Sequence, residues 1–304
     1  LGNIEKIMVL PSRLSMSFLS SALSPNGIIV MSKTEENILV FEIDINLNQS
    51  NTTSLPLAES GRIFPAAGGT LLLTEGNQNI VYRLDDSLKT GFLPVGEIVE
   101  IYDFYNYIMI FINTNNAYRI LRLSSNLTVM QNTLISGANI LSVMPLNEGE
   151  QKFAIVEKNS EGATLYKYDM TFNKQTADNA GLGTIDNIDM FSHNDEILAV
   201  ITGDFNAIYA FNDELECQLS SLFTAQSVNE LFHSWLYEDG LKLLAKTSEG
   251  LVVIDYRFDK SYTTYIINDS CNVAGFIKRP NNNIIVFYDV TGEYEYLQIE
   301  IKAL

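Results

Sequence analysis

The chain has 304 residues, 46% of them hydrophobic, and carries 37 acidic against 19 basic side chains, for a formal net charge of -18. That field repels a phosphate backbone, which excludes direct nucleic-acid binding and leaves solubility, bound cations or a basic partner as readings of the acidity. No apolar run reaches the roughly 18 residues of a membrane-spanning helix, and two cysteines and two histidines that share no cluster exclude a zinc site of about four such ligands.

In chain order, residues 1–30 hold no basic segment leading into an apolar block, so no signal peptide is read there. Because position 1 is Leu1 and not Met, a processed or trimmed form stays open; an extracellular or periplasmic setting is favoured in that case, and the compartment is otherwise unknown. The first segment with strand character is IEKIMVL, residues 4–10. From there one pattern repeats. A continuous apolar run appears as IIVM at Ile28, LLLT at Leu71, IMIF at Ile108, FAIV at Phe153, LAVI at Leu198, LLAK at Leu243 and IIVF at Ile284. Such a run suits a strand buried on both faces. A polar turn follows each, for example KTEEN, TEGNQN or EKNSEG, and then a strand of alternating character containing Phe41, Tyr82, Leu121, Tyr166, Tyr209 or Val252.

That strand ends at a short polar residue: Asp44, Asp85, Ser124, Asp169, Asn212, Asp255 and, in a seventh unit, Glu300. The spacings are 41, 39, 45, 43, 43 and 45 residues. An Asp or Asn here bonds a backbone N–H about two residues on and reverses the chain. The apolar residue three positions later (Leu47, Leu88, Leu127, Phe172, Leu215, Phe258) is expected to start an outer strand. A further strand before each apolar run makes four per unit, and a period of about 40–45 residues built of short strands marks propeller blades.

The chain as a whole resembles the seven-bladed β-propeller superfamily, and SPNG before IIVM is similar to the inner turn of WD-repeat propellers. The marks of particular families are absent: Trp235 precedes Leu236, so no Trp-Asp pair occurs, no Gly-His pair occurs, and paired glycines appear once, at Gly68–Gly69. The resemblance implies an all-β, seven-bladed propeller of four-stranded blades and transfers no active site. The expected division is one domain over 1–304, with blade 1 at 14–58, blade 2 at 59–96, blade 3 at 97–138, blade 4 at 139–183, blade 5 at 184–226, blade 6 at 227–268 and blade 7 at 269–304. The last unit is one strand short, so residues 4–10 are expected to supply its outer strand and close the ring.

Catalytic signals are sparse. Ser20, Ser21, Ser54 and Ser234 lack a nucleophile elbow, GLGTID at 181–186 lacks the third glycine of a phosphate loop, and no segment fits an EF-hand. His193 reads as a turn residue. His233 falls on an innermost strand and, with Asp103 and Tyr105, is a channel candidate for a base or ligand contact. Tyr102, Phe104, Tyr105 and Tyr107 crowd blade 3, for packing between blades or for contact with a partner or sugar. Cys217 and Cys271 read as separate thiols, with a disulfide as the alternative for an exported chain.

No catalytic residue, metal ligand or cofactor is assigned, with a channel Ca2+ as the alternative. The leading reading is a non-enzymatic binding or scaffold module. One loop face carries Glu35, Glu36, Glu75, Asp204 and Glu249, with Glu157, Glu161 and Glu293 in equivalent turns, and suits a protein or peptide partner of basic character. The alternative is an enzyme or carbohydrate-binding protein with its site at the channel mouth.

Overall fold

The computed structural model describes residues 4–9, 17–24, 27–44, 49–64, 69–84, 88–104, 106–146, 152–169, 171–193, 196–202, 206–212, 215–222, 228–237, 240–248, 250–257, 260–267, 272–278, 283–289 and 294–300. They form seven four-stranded antiparallel sheets. After β1 (Ile4–Val9), the first sheet is β2 (Ser17–Ser24), β3 (Gly27–Lys33), β4 (Asn37–Asp44) and β5 (Gln49–Pro56). The second is β6 (Ser60–Phe64), β7 (Thr70–Glu75), β8 (Asn79–Leu84) and β9 (Lys89–Leu93). The third is β10 (Glu97–Asp103), β11 (Tyr107–Thr114), β12 (Ala117–Ser124) and β13 (Val129–Ser136). The fourth is β14 (Asn139–Leu146), β15 (Lys152–Asn159), β16 (Gly162–Tyr168) and β17 (Lys174–Gly183). The fifth is β18 (Asn187–His193), β19 (Glu196–Thr202), β20 (Ala207–Phe211) and β21 (Cys217–Leu222). The sixth is β22 (Val228–Tyr237), β23 (Gly240–Thr247), β24 (Gly250–Arg257) and β25 (Lys260–Ile267). The last holds β26 (Asn272–Lys278), β27 (Asn283–Asp289) and β28 (Tyr294–Glu300).

The fourth strand of that last sheet is β1, antiparallel to β28, with Ile4 opposite Ile299, Lys6 opposite Leu297 and Val9 opposite Glu295. The N-terminal segment therefore covers the edge that β28 would otherwise present, as the strand count requires. Innermost strands stand side by side: β2 meets β6, β10 meets β14, β14 meets β18 and β18 meets β22. β2 also meets β26, which joins the last sheet to the first.

The core lies between the blades. Leu71, Leu73 and Val81 of the second sheet pack on Ile98, Ile110 and Leu121 of the third. Met109, Phe111 and Tyr118 of the third pack on Phe153, Ile155 and Tyr168 of the fourth. The apolar runs are buried on both faces as expected: Leu71–Thr74, Tyr107–Ile112 and Phe153–Glu157 are buried throughout. Polar residues of the third strands share the buried faces: Arg83 lies on the face of Val81, and Lys167 on that of Ala163 and Leu165. Both are only 5% exposed, because a neighbouring blade covers that face.

The recurring polar residue does reverse the chain, by a specific device. Leu127 N–H donates to Ser124 C=O at 2.9 Å, Phe172 N–H to Asp169 C=O at 3.0 Å and Leu215 N–H to Asn212 C=O at 3.0 Å. Leu127, Phe172 and Leu215 each adopt positive φ (61°, 63° and 59°), as does Leu88 (37°). At Ser124–Leu127, described throughout, this is a type I turn followed by a left-handed bulge residue. The apolar residue thus does not start the outer strand; it closes the turn, and β13, β17 and β21 begin two residues later. A bulky side chain at positive φ is strained, and burial of Leu127, Phe172 and Leu215 to 5%, 6% and 3% exposure offsets that strain. The expected landmark fails in the sixth sheet: Asp255 lies inside β24, opposite Lys242 and Tyr262, because that strand runs on to Arg257.

In the fourth sheet Asp169 Oδ1 accepts from Thr171 N–H at 2.8 Å, Thr171 Oγ1 at 2.6 Å and Asn173 N–H at 3.0 Å. These donors, Thr171 Oγ1 foremost, hold its carboxyl below the usual carboxylate value. By analogy with loss of a helix-capping oxygen, Asp169→Ala should cost roughly 0.5–2 kcal/mol in urea unfolding. The difference from the parent should be present at neutral pH, above the unfolded-state value, and shrink as pH falls through the lowered folded one.

Candidate functional site

Antiparallel order places the turn between second and third strands, and the connection from each fourth strand to the next blade, at one end of the propeller. Hydrogen bonds tie the two together: Glu59 N–H donates to Glu75 C=O, Gly137 N–H to Asn116 C=O and Asp186 N–H to Thr202 C=O, each at 2.9 Å. Glu35 and Glu36 are exposed here, in a turn organised by Thr34. Thr34 Oγ1 accepts from Asn37 N–H at 3.0 Å, and Thr34 N–H donates to Asn37 C=O at 2.8 Å. Glu161 is exposed in the matching turn of the fourth sheet, its N–H donating to Asn159 Oδ1 at 2.8 Å. Glu59 and Asp186, on the connections, and Glu97, the first residue of β10, are exposed at the same end.

Two expected members of the face are engaged elsewhere. Glu75 is half-buried: Oε1 accepts from Arg62 at 3.1 Å and Oε2 from Ser60 Oγ at 2.9 Å. Glu157 is no turn residue at all. It lies in β15, 4% exposed, where Oε1 accepts from Tyr118 at 2.7 Å and from Tyr168, and Oε2 pairs with Lys174 at 2.7 Å. The two phenol oxygens are 2.8 Å apart, and Lys174 Nζ stands 3.4 Å above the Tyr166 ring centroid. Burial first, then the neighbouring oxygens, pushes both the Tyr118 and Tyr168 phenols well above their ordinary value. Asp204, Glu249 and Glu293 lie outside the described residues.

The channel candidates fare differently. Asp103, with a side chain 2% exposed, turns into the joint between second and third sheets and pairs with Arg83 at 3.2 Å. Tyr105 lies outside the described residues, as does the side chain of His233, whose backbone sits in β22 opposite Leu244 just after a bulge. His193 ends β18 opposite Glu196, a strand position and not the expected turn. Cys217 is exposed at the start of β21, and Cys271 lies outside the described residues.

The aromatics of the third sheet pack against the fourth. Phe104 meets Phe153 at 5.6 Å between centroids, Phe111 meets Phe153 at 5.4 Å, and Tyr102 donates to Val143 C=O at 2.6 Å. Sequence reading passed over Arg62 and Glu100. Arg62 donates from β6 to Ile98 C=O as well as to Glu75, and Glu100 lies close enough to feel its charge. Burial nevertheless raises the Glu100 carboxyl above its ordinary value, against the opposing pull of the Ile101 N–H and Arg62. The available signal was a single basic residue on an innermost strand. Among the described residues no three His, Cys, Asp or Glu side chains cluster to hold a metal, and no helix is long and apolar enough to cross a membrane.

No protein-family model and no curated protein matches the chain. Solved structures do. The AfRom2 CNH domain aligns over 99% of this chain and 100% of its own, with a TM-score of 0.68 and 10% identity. The WD40 domain of Toxoplasma gondii coronin aligns over 99% of this chain and 87% of its own, with a TM-score of 0.65 and 8% identity. A chain of the mitotic checkpoint complex aligns over 98% of this chain and 94% of its own, with a TM-score of 0.63 and 9% identity. At these identities the likeness is one of fold, and it agrees with the topology: the chain folds as a β-propeller.

Proposed function

We propose that the chain is a non-enzymatic binding or scaffold module, a single propeller domain over 1–304 that holds a protein or peptide partner against its acidic loop face. The observation that carries this reading is the collection of exposed carboxylates at one end: Glu35, Glu36, Glu59, Glu97, Glu161 and Asp186, against Lys33, Lys158 and Lys246. A rigid ring presents such a face without reorganising, and its charge selects a basic partner and speeds encounter. One similar fold comes from the mitotic checkpoint complex, which supports a role in protein assembly. The reading requires no cofactor.

The test starts with a pull-down from the native source at low salt, followed by association kinetics with the captured partner. The quadruple variant Glu35→Gln/Glu36→Gln/Glu97→Gln/Glu161→Gln leaves the Glu75–Arg62 pair untouched. Its association rate should fall about tenfold and lose much of its salt dependence, with little change in dissociation or melting temperature. A variant that associates as fast as the parent would remove the acidic face from the account.

A further inference from the structure

Between the first two blades, on this same face, lies a cavity of about 370 Å3. One wall is the connection from β5 to β6, where Pro56 is exposed and Leu57 is 50% exposed. The other is the turn between β7 and β8, with Ile80 and Tyr82 beneath it. The walls are fixed in place: Glu59 N–H donates to Glu75 C=O at 2.9 Å, and Lys33 Nζ donates to Glu59 C=O at 3.2 Å. Tyr82 is only 4% exposed and lines the cavity. The hydroxyl is open to solvent and not sealed without a partner. The carboxylate of Glu59 stands at the rim, and Glu35 and Glu36 follow Lys33 in the bordering turn.

We propose that this cavity receives a tryptophan side chain from an extended basic peptide. The proposal rests on the reading of the acidic face above and names the part of the partner that the face grips. An indole lays its ring against Leu57 and Ile80 and donates its N–H to the Tyr82 oxygen in place of water. Basic residues on either side of the anchor meet Glu35, Glu36 and Glu59. The cavity volume falls in the range of built ligand sites, and a buried aromatic anchor inside a charged rim is how interfaces concentrate their affinity.

The experiment uses the full chain, low salt and fluorescence anisotropy with three labelled pentapeptides: Arg-Arg-Trp-Arg-Arg, its Trp-to-Ala counterpart, and Glu-Glu-Trp-Glu-Glu. The basic Trp peptide should bind about tenfold tighter than the Ala peptide, and the acidic one should not bind. Tyr82→Phe and Leu57→Ala, both mild enough to keep the fold, should each shrink the Trp-over-Ala ratio several-fold while leaving the Ala peptide unchanged. Glu35→Gln/Glu36→Gln/Glu59→Gln should weaken both basic peptides and preserve the ratio. Equal binding of the Trp and Ala peptides, or a ratio indifferent to Tyr82→Phe and Leu57→Ala, overturns the cavity proposal and leaves the acidic face standing. Indifference of both basic peptides to the triple rim variant, or no binding of either, overturns the face and the cavity together.

Discussion

Deleting residues 1–10 should lower stability by roughly 3–5 kcal/mol, taking about 1 kcal/mol for each backbone hydrogen bond lost along the β1–β28 pair, and should make the chain self-associate. β1 contributes the fourth strand of the last sheet, with paired positions from Ile4–Ile299 to Val9–Glu295. Without it the backbone groups of β28 (Tyr294–Glu300) form an open edge, a template for pairing with another copy. The same sheet meets the first blade through β2 and β26, so loosening it also loosens the joint of the ring. The measurement is a thermal melt with light scattering, and a peptide of residues 1–10 added in trans should restore part of the loss. A truncated chain that melts with the parent and stays monodisperse would show that β28 needs no cover.

That closure was legible because every blade spends its four strands in the same order, so a unit lacking one points to a segment left unassigned elsewhere. The turn landmark was legible for a similar reason: Ser124 ends a third strand, Asp169 and Asn212 directly follow one, and each bonds the chain that follows, through Ser124 Oγ to Thr128 N–H and Asn212 Oδ1 to Glu216 N–H among others. Asp255 misled because VVIDYRF alternates on past the polar residue, and nothing local says that β24 continues to Arg257. The acids were harder. Glu157 is next to an acidic turn, but it shares strand parity with Phe153 and Ile155 and so points where they point, into the joint with the third blade. Parity was available in the sequence. The partners were not, since Tyr118 lies 39 residues away and the Arg83–Asp103 pair spans 20 residues and two blades. Chemistry made between blades leaves no short-range spacing to read.

The buried group around Glu157 should therefore behave as structure, and its removal should be among the most damaging single changes in the chain. Glu157→Ala removes the carboxylate that pairs with Lys174, whose side chain is 29% exposed, and deprives both buried phenols of their shared acceptor, a loss of about 2–4 kcal/mol by the measure of buried donors left unsatisfied. Glu157→Gln keeps one acceptor oxygen and should cost less. The phenols add a test by pH. Their folded-state values are raised above the ordinary 10.0, so the fold favours the neutral form. Their contribution is complete below pH 10.0 and is lost as pH climbs above it, because the unfolded chain ionises first. Each phenol steepens the loss by about 1.4 kcal/mol per pH unit until its folded-state value is reached. Urea midpoints between neutral pH and about pH 11.5, where an ordinary tyrosine is mostly ionised, should fall for the parent and fall less steeply for Tyr118→Phe/Tyr168→Phe. Tyr102, also raised by burial with Glu100 and Asp189 nearby, keeps part of the slope in that variant. If the double variant lost stability with alkali as steeply as the parent, the two phenols would have to be reached by water in the folded chain, and the closed joint between the third and fourth blades would be wrong.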